Sequence, residues 1–242
     1  MRAIIFAACL PLAACGNGPG EDSNPGVPGE GTGGARSYAV ADFTQVALRG
    51  PDDVDVRVGP AFSVRAEGDP KVLERLKIEK VGDTLRVGRV RSSGINLGSD
   101  KGVKVHVTMP RIAAAELAGS GDLTVDRAES ERFSAALAGS GDLTIAAIAA
   151  KSANLSLAGS GGLRAGGTAE ALTVNIAGSG NVDAGGLTAS RADVSIAGSG
   201  DVRTVVNGPA KVSIMGSGDV DLGPNARCTT SKMGSGTVRC GE

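Results

Sequence analysis

Hydrophobic and polar residues alternate along most of the chain from residue 113 onward. Alternation with a period of two predicts β-strands that bury one face. The pattern recurs around the tripeptide Gly-Ser-Gly, whose successive copies begin 20, 20, 19, 20, 18 and 18 residues apart. A period of about 20 residues is typical of a solenoid of stacked repeats. The seven copies begin at Gly119, Gly139, Gly159, Gly178, Gly198, Gly216 and Gly234.

The flanks of the tripeptide repeat as well. The residue two places before the first glycine is Leu or Ile in six of the seven copies, and the residue four places after it is always Leu or Val. About 19 residues give roughly 60 Å of extended chain, enough to circle a narrow interior once and to stack on the next coil at ~4.8 Å. We therefore predict an all-β, parallel β-helix-like solenoid over 113–242. An antiparallel sandwich built from short strands is the alternative.

Hydrophobic and polar residues also alternate within 37–112, but no motif recurs there at a constant spacing. Examples are Val54 to Val58 and Val103 to Val107, and the stretch from Asp69 to Leu76 predicts a turn of helix. Terminal units of a solenoid differ from the repeats because they must cover an exposed strand edge. We predict that 37–112 is a β region that caps the solenoid.

The N-terminus predicts secretion and lipid attachment. Arg2 precedes an apolar run that is too short to span a membrane but suits a signal peptide, 1–14. Its end, Leu12-Ala13-Ala14-Cys15, resembles the lipobox of bacterial lipoproteins, which implies acylation at Cys15 and a membrane anchor; an ordinary secretory signal is the alternative. Gly16 is not the Asp of an inner-membrane retention signal, so we expect attachment to the outer membrane. The Gly- and Pro-rich stretch 15–36 predicts a flexible tether.

Composition narrows the classes of function. Glycine makes up 38 of 242 residues, Trp is absent and aromatics reach 2%, so the core must consist of Ala, Val, Leu and Ile. A net charge of −1 argues against binding nucleic acid. We expect no cofactor, and the sequence leaves the oligomeric state open.

The two cysteines outside the N-terminus are predicted to form a disulfide. Cys228 and Cys240 lie six residues before and six residues after Gly234, both at inward positions of the last repeat. In an oxidising compartment such a pair closes a loop of 13 residues, which stabilises the fold by roughly 3 kcal/mol in the loop-entropy model. A metal site with two cysteines is the alternative, but no second pair or nearby histidine supports it.

Acidic residues follow four of the tripeptides. Asp122, Asp142, Asp201 and Asp219 are expected to align on the outside of the coils, where neighbouring carboxylates repel each other. A bound cation could relieve that repulsion, but Gly162 and Asn181 divide the row, and a row of solvated turn residues is the preferred interpretation.

Catalytic motifs are not found in the sequence. A triad would need His106, the single histidine, which lies on the outward alternation of its strand. Gly-Ser-Gly differs from the Gly-x-Ser-x-Gly of a nucleophile elbow. We predict that the protein is not an enzyme; a carbohydrate-active β-helix enzyme remains possible by analogy of fold alone.

The chain resembles a known bacterial family, the head GIN domain of auto-transporter adhesins. The resemblance rests on the spacing of Phe43, Val46, Leu48, Val54, Val56 and Val58, on Leu85-Arg86-Val87 and on the Gly-Ser-Gly repeats, and it covers Phe43 to Arg239. It implies a right-handed β-helix-like fold in the cell envelope and supplies no catalytic residues. The predicted function is structural or adhesive, with an envelope protein or glycan as partner. A module that binds glycans or cations is the alternative.

Overall fold

The computed structural model describes residues 26–90 and 102–241. The predicted signal peptide, Cys15 and most of the predicted tether lie outside these residues. One 19-stranded sheet winds through the described chain, together with one helical turn. The elements are β1 (Gly29–Glu30), β2 (Ala35–Tyr38), β3 (Gln45–Gly50), β4 (Asp53–Val58), β5 (Ser63–Glu67), α1 (Pro70–Leu73), β6 (Leu76–Val81), β7 (Thr84–Arg89), β8 (Lys104–Met109), β9 (Ala114–Gly119), β10 (Leu123–Val125), β11 (Ala128–Gly139), β12 (Asp142–Gly159), β13 (Gly162–Gly178), β14 (Asn181–Gly198), β15 (Val202–Val206), β16 (Pro209–Gly216), β17 (Val220–Asp221), β18 (Arg227–Met233) and β19 (Val238–Arg239).

The predicted parallel solenoid is confirmed, with about six turns. Equivalent positions of successive coils pair in parallel register, so that Leu137 lies beside Leu117 on one side and Leu157 on the other. The same register continues through Ile176 and Ile196. Around these positions the coils therefore stack in parallel and in register, which excludes the antiparallel sandwich.

Each coil has three flat sides, named here after their positions in β12. Side A comprises 152–159 and its equivalents, side B comprises 142–145, and side C comprises 148–150. Pairing between β12 and β13 is interrupted at 146–147 and at 151, where the chain turns from one side to the next. The third corner is the Gly-Ser-Gly tripeptide, between side A of one coil and side B of the next.

The interior is narrow and aliphatic. Inward residues such as Leu143, Leu155 and Val174 are fully buried, and Phe133 is the only aromatic side chain in the repeat core of the described chain. The second glycine of each tripeptide, for example Gly141, also points inward and is buried. This burial explains how a chain with so few aromatic residues builds a continuous core.

The solenoid begins before its predicted start at 113. Strands β3 and β4 form a first coil, in parallel register with β9 and β10, and β7 and β8 lie beneath them. Strands β5 and β6 pair antiparallel with β8 and β7, and β2 and β1 extend this layer. The N-terminal region therefore both starts the solenoid and covers its edge.

Two local predictions for this region have different outcomes. The predicted helical turn is present as α1, where the Asp69 carboxylate accepts a hydrogen bond from the Lys71 N–H at 2.9 Å. The predicted tether extends too far, because Gly29–Glu30 and Ala35–Arg36 are in strands. The edge of β5 supplies hydrogen-bond partners for β2, and the buried Tyr38 ring packs against Gly29.

The C-terminal end of the solenoid is closed by polar groups. In β18 the inward positions hold Cys228, Thr230 and Lys232 instead of aliphatic residues. Cys228 and Cys240 form a disulfide with Cα atoms 6.2 Å apart, and the Lys232 ammonium donates a hydrogen bond to the Gly236 carbonyl at 2.7 Å. Among the described residues, no helix is long and apolar enough to cross a membrane.

Candidate functional site

The Gly-Ser-Gly corner brings the backbones of neighbouring coils very close together. The first glycine has a positive φ in every copy, for example +128° at Gly159. The Gly139 carbonyl accepts hydrogen bonds from Ser160 and Gly161 of the next coil, at 3.0 and 3.1 Å. A Cβ atom added to Gly159 would lie 2.3 Å from the same carbonyl oxygen. Only glycine meets both requirements, so the tripeptide is an element of the fold.

The acidic residues that follow the tripeptide also bond to the next coil. In each case the side-chain oxygen accepts a hydrogen bond from the backbone N–H of the equivalent residue one coil further on. The pairs are Asp53 with Asp122 (3.1 Å), Asp122 with Asp142 (3.2 Å), Asp142 with Gly162 (3.1 Å), Asn181 with Asp201 (2.9 Å), Asp201 with Asp219 (2.9 Å) and Asp219 with Thr237 (2.7 Å). We call this series the Asx ladder.

The Asx ladder shows that the side chains of the predicted acidic row connect neighbouring coils. A carboxylate oxygen that accepts an N–H bond gains part of the compensation that a bound cation would otherwise supply. Gly162 has no side chain, and the Asn181 N–H bonds instead to the Gly161 carbonyl at 3.2 Å. Within the described chain, no group of three or more His, Cys, Asp or Glu residues is arranged to hold a metal ion.

The last pair of the Asx ladder, Asp219 with Thr237, has two hydrogen bonds instead of one. The Asp219 carboxylate accepts bonds from both the hydroxyl and the N–H of Thr237, at 2.8 and 2.7 Å. These bonds, with a smaller contribution from the Arg239 and Lys232 charges, lower the pKa of Asp219 below its ordinary value. Because the side chain is fully exposed, solvent screens the charge contributions.

A buried ion pair that the sequence pattern did not predict, between Asp52 and Arg89, lies at the start of the Asx ladder. Asp52 is fully buried, and its carboxylate accepts two bonds from the Arg89 guanidinium, at 2.6 and 2.8 Å, and one from the Val103 N–H at 3.0 Å. It therefore fixes Arg89 at the end of β7 and Val103 just before β8. The signal was Gly50-Pro51-Asp52-Asp53, an imperfect copy of Gly-Ser-Gly-Asp.

On side B, a second column of outward residues carries alternating charges. Arg164, Asp183, Arg203, Asp221 and Arg239 follow one another at equivalent positions of five coils. Together with the end of the Asx ladder, this column borders a shallow groove of about 300 Å³. Opposite charges on neighbouring strands attract each other, so the column stabilises the stack while leaving polar groups exposed.

The half of side A next to the Gly-Ser-Gly corner carries few charges, and we call it the neutral face. Between β9 and β16 its outward residues are small or neutral with one exception, Glu116, and they line a groove of about 570 Å³. The other half of side A carries exposed charged residues, namely Arg132, Arg191, Asp193 and Lys211. Met215 and Met233 at the C-terminal end of the neutral face are 61% and 71% exposed. The outward residues of the groove are Glu116, Ala118, Ala136, Ala138, Ser156, Ala158, Asn175, Ala177, Ser195, Ala197, Ser213 and Met215.

His106, the one candidate for catalysis by a triad, lies on β8 between two charged neighbours. It is partly buried, with Asp55 of β4 and Arg65 of β5 at the paired positions. The structure thus places the imidazole in the N-terminal layer, away from the Gly-Ser-Gly corners.

The stacked coils, the glycine corners and the flat outer sides define a β-solenoid with three regular surfaces. Residues 42–226 match the family described as "Putative auto-transporter adhesin, head GIN domain", and the chain belongs to this family. The predicted resemblance is therefore confirmed. No curated protein matches the chain in sequence.

Solved structures show the same fold at low sequence identity. A putative adhesin from Bacteroides fragilis NCTC 9343 is 20% identical, with a TM-score of 0.77 over 85% of this chain and 95% of that one. A putative lipid binding protein from Parabacteroides distasonis ATCC 8503 is 22% identical, with a TM-score of 0.70 over 88% of this chain and 98% of that one. A putative adhesin from the same organism is 20% identical, with a TM-score of 0.65 over 88% and 99%.

Proposed function

We propose that this protein is a lipid-anchored component of the bacterial outer membrane with a structural or adhesive, non-enzymatic role. Cys15 carries the anchor, and the solenoid presents a rigid surface to an envelope protein or a glycan. The proposal rests on adhesin-family membership together with columns of outward side chains on a stack of similar coils.

The use of the polar residues supports a non-enzymatic role. The Asx ladder and the Asp52–Arg89 pair engage their carboxylates in bonds that hold the coils together. The outward residues on sides A and B lie at equivalent positions of successive coils, which gives an extended surface of regularly spaced side chains. Such a surface suits a partner that makes many weak contacts at regular spacing.

A glycan-binding module is the second candidate, and the groove on side B favours it. Arg203, Arg239 and the neighbouring carboxylates offer donors and acceptors to sugar hydroxyls within about 300 Å³. A glycan array would test this candidate with Arg203→Ala as the variant and Lys151→Ala, at the corner between sides C and A, as the control. Glycan binding that only Arg203→Ala abolishes would support the second candidate over a protein partner.

The anchor and the partner are tested separately. Cys15→Ser is expected to release the protein from the membrane fraction and to abolish incorporation of a labelled fatty acid, whereas Cys9→Ser, inside the predicted signal peptide, leaves both unchanged. Proximity labelling from the solenoid in whole cells then identifies the partner. A Cys15→Ser protein that stays in the membrane fraction would contradict the proposed anchor, and turnover on a panel of polysaccharides would contradict the non-enzymatic role.

A further inference from the structure

A further groove, of about 330 Å³, lies on the charged half of side A at the C-terminal end of the solenoid, and we call it the basic groove. Two columns of outward residues border it, and both columns run along the solenoid axis. The first column is Ala171, Arg191, Pro209 and Arg227, and the second is Thr173, Asp193, Lys211 and Thr229. The basic groove is therefore open to a linear ligand that lies across several coils.

Three cations line the basic groove without a partner. Arg191, Lys211 and Arg227 are exposed, and none of them forms a hydrogen bond or an ion pair with another described residue. Asp193 is the one carboxylate in the lining, so the basic groove carries a net charge of +2. These cations are available to an anionic ligand.

The sign of this charge distinguishes the basic groove from the other grooves of the solenoid described above and from one on side C. The groove on side B has four aspartates and two arginines in its lining, a net charge of −2. The groove on side C, of about 660 Å³, has three glutamates and Lys151, which is also a net charge of −2. The neutral face carries the single charge of Glu116. An anionic ligand is therefore repelled by these surfaces and attracted to the basic groove.

We propose that the basic groove binds an acidic glycan, a chain of sugars that carry carboxylates. The proposal rests on the proposed adhesive role and names the class of ligand. Arg191 and Arg227 lie two coils apart in one column, which separates their Cα atoms by about 10 Å. Each guanidinium can hold a carboxylate of the glycan through two parallel hydrogen bonds, and Lys211 in the other column adds a third positive charge between them.

The uncharged part of the lining suits sugars. Pro209 lies between the two arginines, and its exposed ring is an apolar surface on which the C–H face of a sugar ring can pack. Thr173 and Thr229 stand at the two ends of the second column, where their hydroxyls can bond to sugar hydroxyls. A lipid bilayer is flat and would leave the floor of the basic groove unfilled.

Isothermal titration calorimetry on the mature chain with Cys15→Ser tests the ligand class. The probe is trigalacturonate, and the matched control is the same trisaccharide with its carboxylates converted to methyl esters. We expect the acid form to bind with an affinity that falls as salt is added, and we expect the ester not to bind. Equal binding of the two forms overturns the proposal, and so does the absence of binding by the acid form at about 10 mM.

Substitutions then test the site. Arg191→Gln and Arg227→Gln are each expected to raise the dissociation constant about tenfold, because each removes a charge-assisted hydrogen bond. Arg132→Gln is the matched control and leaves the affinity unchanged, since Arg132 is an exposed arginine of the same column that lies three coils from Arg191, outside the basic groove. A loss in Arg132→Gln equal to that in Arg227→Gln would contradict the assignment.

Asp193→Asn gives a test that a folding defect cannot imitate. The substitution removes the carboxylate that opposes an anion in the basic groove, so we expect the dissociation constant for trigalacturonate to fall severalfold. An unchanged or weaker affinity would place the ligand elsewhere and overturn the proposal.

The result is separable from the test of the proposed function. Absence of trigalacturonate binding removes the acidic glycan as ligand, while the membrane anchor and the partner found by proximity labelling are measured independently. Vesicles that contain anionic phospholipid are the second probe. Binding to these vesicles that Arg191→Gln abolishes, without binding to trigalacturonate, would overturn the glycan in favour of a membrane surface.

Discussion

The Gly-Ser-Gly corner allows a quantitative prediction, because the equivalent corner at Gly50 serves as an internal control. Gly159 and Gly50 are the first residues of equivalent corners, with nearly the same φ, +128° and +127°. A Cβ at Gly159 would lie 2.3 Å from the Gly139 carbonyl oxygen, whereas a Cβ at Gly50 would meet no atom of the described residues within 4 Å. The substitutions Gly159→Ala and Gly50→Ala therefore share the backbone strain and differ in the contact with a neighbouring coil.

The expected magnitudes follow from these two contributions. An alanine at such a φ costs about 1–3 kcal/mol in either variant. At Gly159 the clash with a backbone atom adds about 1–3 kcal/mol, as overpacking does in protein cores. The upper end is expected, because the Gly139 carbonyl is held by two hydrogen bonds from Ser160 and Gly161 and cannot move without lengthening them. Gly159→Ala should thus destabilise the fold by about 2–6 kcal/mol in total.

Urea unfolding followed by circular dichroism measures both variants, and the slopes show whether unfolding remains a single transition. Hydrogen exchange at the Ser160 and Gly161 amides adds a local measurement, since these bonds should open first in Gly159→Ala. Equal losses of unfolding free energy in the two variants would refute the argument that contact between coils, rather than φ alone, requires glycine at the repeated corners.

Three further predictions concern the ends of the solenoid and its polar bonds. Cys228→Ser should lower the unfolding free energy by roughly 3 kcal/mol, and wild-type protein under reductant should match it; unequal losses would contradict a purely cross-linking role. Because its pKa is lowered, Asp219 stabilises the fold above the ordinary carboxyl pKa and loses this contribution as the pH falls through its own pKa. Asp219→Asn should therefore lose less stability than wild type between about pH 5 and pH 2, as urea titrations at each pH would show, and parallel curves would contradict this. Arg89→Met should cost about 3–5 kcal/mol by leaving the buried Asp52 charge unpaired, with Asp52→Asn in the same background restoring part of that loss; no restoration in thermal unfolding would refute the pairing.

The repeated part of the fold could be predicted because its period is written directly in the sequence. The alternation around each Gly-Ser-Gly identified the inward residues, the parallel stacking and the pairing of Cys228 with Cys240. The first coil could not be found in this way, because Pro51 and Asp52 replace the Ser and Gly of the corner. Among the described residues, no tripeptide corner that would require a second glycine lies beneath Pro51 and Asp52.

The alternation predicts that the acidic residues after each tripeptide point outward, but it does not predict their hydrogen bonds to the next coil. An outward Asp122 follows from alternation, whereas its bond to the Asp142 N–H depends on the register of two coils. The strands β1 and β2 depend on the distant edge of β5, which composition does not reveal. Long-range register is thus the part of the structure that a periodic pattern leaves undetermined.

The disulfide at the last coil has a mechanical consequence. Hydrogen bonds between coils point along the solenoid axis, so a pull on the chain beyond the last coil would peel the strands off one coil at a time. The bond between Cys228 and Cys240 closes the outermost loop, and traction applied beyond Cys240 is passed directly to β18. Under load, the first strand to detach must then be a seven-residue strand paired along its whole length with β16, rather than the two-residue β19. The cross-link therefore sets the force at which unravelling begins.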